Sequence, residues 1–314
     1  MNITVILCTY NRCQSLVKAL ASVGVSRLPE SVSWEVLVVD NNSRDKTRDA
    51  VAAVGDRYPG RFRYVFEPQP GKSYALNRGV AEARGDVLAF MDDDVTVEPM
   101  WLQKLTAPLL DGKWAGCGGR ILLEWSCPQP GWLPDSGRYD LAPLAAFDLG
   151  PQAGRLTESP FGTNMAVAKT VFAKYGRFRT DLGPKPGSEI RGEDTEFCRR
   201  LLAGGEQLWY EPSAIVYHPV SQNRLRKQYF LDYWLDHART EVRTHGLGSD
   251  VKLVVAGIPL RLFRRLAVWT VRWALATTSS RRFSNKLKVW WVAGQIVECY
   301  HQAHPFKTES RGNR

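Results

Sequence analysis

Leu88-Ala89-Phe90-Met91-Asp92-Asp93-Asp94-Val95 runs from four apolar residues straight into three adjacent carboxylates. Residues 88–91 read as a buried strand. A buried strand would not end in three negative charges without a cation, a basic partner or water to meet them. Hard oxygen ligands suit Mg²⁺ or Mn²⁺, and a metal held by one or two carboxylates commonly also holds a substrate diphosphate. A solvated acidic turn satisfies the same letters, so the flanking sequence has to decide.

Upstream, residues 3–8 form an apolar run that ends in Thr9-Tyr10-Asn11-Arg12, followed by Leu16, Val17, Leu20 and Val23 at helical spacing. A second strand at 34–39 ends in Asp40-Asn41-Asn42-Ser43, with a helix expected at 47–54. A third strand at 63–66 leads through Pro68, Pro70 and Gly71 to a helix at 73–83. Alternating buried strands and helices predict a mostly parallel sheet flanked by helices, an α/β fold that binds ligands at the carboxyl ends of its strands. That edge would carry Thr9 to Arg12, Asp40 to Ser43 and the three aspartates.

Downstream, residues 113–160 are rich in Gly, Pro and Trp and read as a long irregular segment with a strand opening at Gly118-Gly119-Arg120. Pro160 to Met165 leads into a further strand, 183–187 reads as a flexible loop, and Gly192-Glu193-Asp194 opens a helix running to Leu202. Acidic residues there also suit a helix N-terminus. Residues 214–218 read as a short strand ending in His218.

The chain is long enough for a sizeable core, and its 44% hydrophobic and 24% charged residues are those of a globular protein. A net charge of +10 admits an anionic membrane, nucleic acid or an anionic substrate. Six scattered cysteines with no C-x-x-C pair argue against a zinc site or a disulfide framework and fit a reducing cytosol. No signal peptide or membrane span is expected. After about residue 250, Arg261, Arg264, Arg265 and Arg272 cluster on one helical face, with Leu262, Phe263, Leu266, Trp269 and Trp273 opposite. A second helix places Val289, Trp290, Ala293, Ile296, Val297 and Tyr300 on its apolar face, with Lys288, Gln295 and Glu298 away from it. These helices suit an anionic membrane surface, with packing on the catalytic domain or a homodimer as the alternative. Nucleic acid is not expected, because no aromatic sheet platform accompanies the arginines.

In order, these motifs resemble those of glycosyltransferase family 2, the inverting group with the GT-A nucleotide-diphospho-sugar fold. The likeness runs from residue 3 to about 230 through Cys8 to Arg12, Val39 to Ser43, Gly71-Lys72-Ser73-Tyr74-Ala75-Leu76-Asn77-Arg78-Gly79, Asp92 to Asp94, Gly192 to Asp194 and His218. The resemblance implies a catalytic domain at 1–245, with a nucleotide-sugar half at 1–112 and an acceptor half at 113–245. A helical extension at 250–304 and a polar tail at 305–314 would follow. It implies Thr9, Tyr10, Arg12, Asp40, Asn42, Lys72, Asn77 and Arg78 around the nucleotide, with Asp40 accepting from a uracil-like N–H. Asp92 would lie near the ribose and Asp94 and His218 on Mg²⁺ or Mn²⁺. Asp194 would be the general base, with Glu193 beside it. Asp93 is grouped with the nucleotide but gains no role, and is expected to tolerate substitution better than its neighbours. Asn164 and Trp132 are the expected acceptor contacts. The implied reaction moves a sugar from a nucleotide diphosphate sugar, UDP by family frequency, to a hydroxyl of a lipid-linked sugar or saccharide at the inner membrane face. A sugar-phosphate nucleotidyltransferase and a non-enzymatic membrane-surface protein are the alternatives.

Overall fold

The computed structural model describes residues 2–134, 138–186, 190–246 and 253–304. The expected polar tail at 305–314, and part of the loop expected at 183–187, lie outside the described residues.

The chain opens with β1 (Asn2–Thr9), α1 (Cys13–Gly24), β2 (Ser33–Asp40), α2 (Thr47–Gly55), β3 (Phe62–Phe66), α3 (Lys72–Glu82) and β4 (Val87–Asp92). It continues with β5 (Thr96–Val97), α4 (Trp101–Thr106), β6 (Gly116–Trp125), α5 (Arg138–Leu141), β7 (Gly154–Leu156), β8 (Asn164–Ala168), α6 (Thr170–Tyr175), α7 (Glu193–Ala203) and β9 (Leu208–Val220). The last elements are α8 (Lys227–His245), β10 (Val254–Val255), β11 (Ile258–Pro259), α9 (Leu260–Ala274) and α10 (Ser279–Ala303).

The sheet runs in the order β3-β2-β1-β4-β8-β6-β9-β5, with β7 paired to β9. The expected parallel arrangement covers β3, β2, β1 and β4. It ends at β8, which pairs antiparallel with both β4 and β6, while β6 and β9 are parallel. The near-continuous apolar runs of β1 and β4 follow from burial on both faces. Ile3, Val5, Leu7, Ala89 and Met91 pack toward Leu16, Leu20 and Trp101, whereas Ile6, Leu88 and Phe90 pack toward Leu76, Phe172 and Phe197. Stacking of Phe172 on Phe197 at 4.7 Å between centroids ties α6 to α7 and so anchors the segment that carries Glu193 and Asp194.

Two compact units result, one of residues 1–128 and 144–222, the other of 129–143 and 223–314. α8 groups with the later helices in the second unit. Within the segment expected to be irregular, the strand expected at Gly118 is the ten-residue β6. The helical unit buries Leu262, Val242, Val292 and Cys299 together. Glu298, expected on the outer side of α10, is buried, because Arg239 and Arg243 of α8 meet its carboxylate at 3.3 and 2.6 Å. Gln295 is buried too, whereas Tyr300 of the expected apolar face is exposed. Among the described residues no helix is long and apolar enough to cross a membrane.

Candidate active site

Register brings the three polar strand ends together. Thr9 pairs with Asp40 across β1 and β2, and Cys8 pairs with Asp92 across β1 and β4. The loops that follow are stitched to one another. Asn11 N–H donates to Ser43 Oγ at 2.9 Å, and Arg44 N–H donates to Asn11 Oδ1 at 2.7 Å. Asn11 and Asn42 both adopt positive φ, a conformation that asparagine tolerates better than most residues.

The positive charge that the aspartates require comes from two side chains. Lys72 Nζ lies 2.9 Å from Asp92 Oδ1 and 3.6 Å from Glu193 Oε1, and Thr163 Oγ1 donates to Asp92 Oδ2 at 2.6 Å. Arg12 Nη1 lies 3.0 Å from Asp93 Oδ1 and 3.1 Å from Asp94 Oδ2. Burial opposes the charge on Lys72, yet Asp92, Glu193 and Asp194 outweigh it and raise the ammonium above its usual range. Burial also works against ionised Asp92, but Lys72 and Thr163 hold that carboxyl well below the carboxylate norm. Glu193 is pushed up by burial, with Lys72 pulling it partly back.

Asp93 is not the idle member of the run. It is buried, accepts from Thr9 Oγ1 at 2.7 Å, and is raised to about 6 by burial that Arg12 only partly offsets. These partners give Asp93 a structural role that the sequence left unassigned. Its two hydrogen bonds tie the β1 loop to the end of β4.

His218 is not at a strand end. It lies inside the thirteen-residue β9 and is buried. The short β5 explains how it meets Asp94, since Thr96 pairs with Tyr217 and draws the preceding residues alongside. His218 Nε2 and Asp94 Oδ1 stand 3.8 Å apart. A carboxylate oxygen and an imidazole nitrogen this close fit one divalent cation of the Mn²⁺ or Mg²⁺ kind. Among the described residues no group of three or more His, Cys, Asp and Glu is placed to hold a metal ion.

Asp194 opens α7 behind Gly192, whose φ of +97° is left-handed and suits glycine. Its Oδ2 accepts from Gly162 N–H at 2.6 Å and its Oδ1 from Thr195 N–H at 2.7 Å. A side chain at Gly162 would crowd that carboxylate, since a Cβ there would sit 3.1 Å from Asp194 Oδ2. Asp194, Glu193, Lys72 and Asp92 line one narrow cleft, whose other walls include Phe90 and Phe178. Asp40 is buried, with Oδ1 accepting from Ser43 N–H at 2.9 Å and Oδ2 from Tyr64 Oη at 2.8 Å. Tyr10, which follows the Asp40 partner Thr9, is exposed.

Four expected site residues are occupied elsewhere. Asn164 is fully buried, accepting from Trp101 Nε1 at 2.9 Å and donating to the carbonyls of Arg120 and Ala214 at 2.9 and 2.8 Å, so it is a core strut rather than an acceptor contact. Trp132 belongs to the helical unit, its ring edge-to-face with Phe230 and Phe283. Asn77 clamps the backbone of Phe178 through both amide atoms, and Arg78 pairs with Glu82 one turn along α3. Sequence reading passed over Thr163, Tyr64 and Asn41. Asn41, just after β2, ties down the segment between β3 and α3, donating to the Glu67 and Gln69 carbonyls and accepting from Gly71 N–H. Thr163 stands beside Asn164, and the turn placing it at the head of β8, toward the end of β4, was the signal available.

A glycosyltransferase of GT-A type is the class to which this sheet points. Residues 4–167 match the family described as Glycosyl transferase family 2, so the chain belongs to that family and is a glycosyltransferase. Succinoglycan biosynthesis protein ExoM of Rhizobium meliloti is 27% identical, over 82% of this chain and 81% of its own. Glucosyl-dolichyl phosphate glucuronosyltransferase of Haloferax volcanii is 25% identical, over 76% of each chain. Among solved structures, a mannosyltransferase from Pyrobaculum calidifontis in complex with GDP-Man and Mn²⁺ superposes with a TM-score of 0.66 at 16% identity, over 96% of this chain and 87% of that one. That likeness establishes the shared fold.

Proposed function

We propose that the protein is a metal-dependent, inverting glycosyltransferase that moves a sugar from a UDP-sugar to a hydroxyl of a lipid-linked or saccharide acceptor, in the synthesis of a cell-surface polysaccharide or glycolipid. The observation that carries the reading is the Asp194 carboxylate. Two backbone N–H groups fix its orientation on the wall of a cleft that also presents Lys72 and Asp92. Inversion needs a base that takes the acceptor hydroxyl proton on the face opposite the departing diphosphate, and one well-aimed carboxylate suffices. Asp194 takes that proton as the acceptor oxygen bonds to the anomeric carbon and the bond to the diphosphate breaks. Glu193, gripped by Lys72, holds the start of α7 in place beside it.

On the donor side, Asp40 meets the N–H of the uracil. Each of its oxygens keeps a lone pair beyond the bonds from Ser43 and Tyr64. Thr9 and Arg12 shape the loop around the diphosphate through Asp93, and Asp92 faces the ribose. A divalent cation held by Asp94 and His218 would neutralise the charge that builds on the leaving diphosphate. The names of the two relatives, one in succinoglycan biosynthesis and one acting on a glucosyl-dolichyl phosphate, support a lipid-linked or polymeric acceptor, and a lipid-linked acceptor would hold the chain at a peripheral position on the inner membrane face.

A thermal-shift screen of nucleotide sugars with Mn²⁺ or Mg²⁺ tests the donor. One UDP-sugar is expected to raise the melting temperature in the presence of metal, since a ligand that binds only the folded state stabilises it. Stabilisation by GDP-sugars alone would overturn the uridine assignment.

A further inference from the structure

Among the described residues sixteen large hydrophobic side chains are exposed, and eight of them fall within 253–275. Three, Leu253, Val254 and Val255, sit in the hairpin that leads into α9, joined to it by Leu260 N–H donating to the Leu253 carbonyl at 3.0 Å. The other five, Leu260, Phe263, Val268, Val271 and Leu275, are on α9 or at its end. Trp269 of the expected membrane-facing side packs inward instead. Leu262, Leu266 and Trp269 pack in the helical unit, and Lys288 lies 4.3 Å over the Trp269 ring. Sequence periodicity thus named the packed side, and a second apolar stripe points outward.

On a helix turning by about 100° per residue, Leu260, Arg264, Val268, Val271 and Leu275 fall within about 80° of one another. Arg261, Arg265 and Arg272 follow along one flank, and all four arginines are exposed. From residue 251 to 297 the sequence holds nine Lys and Arg and no Asp or Glu.

Resting on the peripheral reading given above, we infer that this outward face of α9 and the adjoining hairpin dock on an anionic phospholipid bilayer. Apolar side chains flanked by arginines, with no acidic residue among them, match acyl chains beneath anionic headgroups. A second copy is the poorer occupant, since an isologous contact would set these arginines against one another.

Sedimentation of the full chain with vesicles tests this, without donor, acceptor or metal. Binding to phosphatidylcholine:phosphatidylglycerol 3:1 is expected to exceed binding to phosphatidylcholine alone by about tenfold or more at 0.1 M salt, with each arginine contributing roughly fivefold. Arg264→Glu is expected to weaken binding by at least that fivefold. Phe263→Ser/Val271→Ser is expected to lower it by about tenfold or more. These side chains are exposed, so the melting temperature should hold, and Arg264→Glu carries the test if the double variant does not fold. Failure of the parent to sediment with anionic vesicles, folded variants that bind like the parent, or a parent dimer dispersed by the double substitution would each overturn the inference. Loss of transfer in solution with vesicle binding intact would count against the catalytic reading alone.

Discussion

Replacing Lys72 with Met keeps the aliphatic stem and removes the ammonium that joins Asp92 to Glu193. Removing one partner of a fully buried pair costs about 3–5 kcal/mol. Here the Lys72 and Asp92 side chains are 29% and 26% exposed, so water takes up part of the loss and about 2 kcal/mol is expected. For a domain of this size that lowers the melting temperature by about 4–8 °C. The cost should depend on pH. Glu193 is already raised by burial, and without Lys72 it rises further. A carboxyl raised in the folded state destabilises the fold as pH climbs through that window and has no such effect below its unfolded value. Asp92 works the same way in the comparison. The parent gains stability from its lowered pKa above about pH 4 and forfeits it below. The deficit of Lys72→Met should therefore be largest near neutral pH and shrink below about pH 4. Thermal unfolding of the metal-free chain across that range measures it. Adding Glu193→Gln should recover part of the loss, a non-additive pair in a double-mutant cycle. A deficit equal at every pH, with strictly additive substitutions, would refute the coupling.

Asn164→Ala should strand the Trp101 indole N–H and two carbonyls in the core, destabilising the fold by about 3 kcal/mol or more while leaving acceptor KM unchanged in the folded fraction. A raised KM without a lower melting temperature would restore Asn164 as an acceptor contact. Asp93→Ala should cost about 1–3 kcal/mol by orphaning the buried Thr9 hydroxyl, whereas Asp93→Asn keeps an acceptor there and should melt close to the parent. Because Asp93 is raised to about 6, the parent should lose stability between about pH 4 and pH 6 relative to Asp93→Asn, and the two unfolding curves against pH would show it.

Much of the first half was legible because its strands are buried on both faces and its helices repeat at 3.6 residues. The runs through Ile6 and Phe90 and the spacing of Leu16, Leu20 and Val23 announce themselves. What escaped depends on non-local pairing. Nothing near His218 reveals that two residues of β5 will draw it to Asp94, nor that β8 enters the sheet antiparallel. Asn164 and Asn77 read as site residues because polar side chains next to motifs suggest ligands, yet each satisfies distant buried backbone instead. On α9 helical periodicity named the face of Leu262, Leu266 and Trp269, which packs, and passed over the stripe of Leu260, Val268, Val271 and Leu275, which stays exposed. That choice is made by Val242, Val292 and Cys299 on other elements.

The central claim is that Asp194 takes the acceptor proton. Asp194→Asn keeps the size and an acceptor oxygen for Gly162 or Thr195 but cannot act as the base. Donor affinity, titrated with UDP-sugar and metal, should stay within about twofold, while single-turnover transfer to the acceptor should fall by about 10²–10⁴-fold. Turnover within about tenfold of the parent, with donor binding intact, would contradict the account.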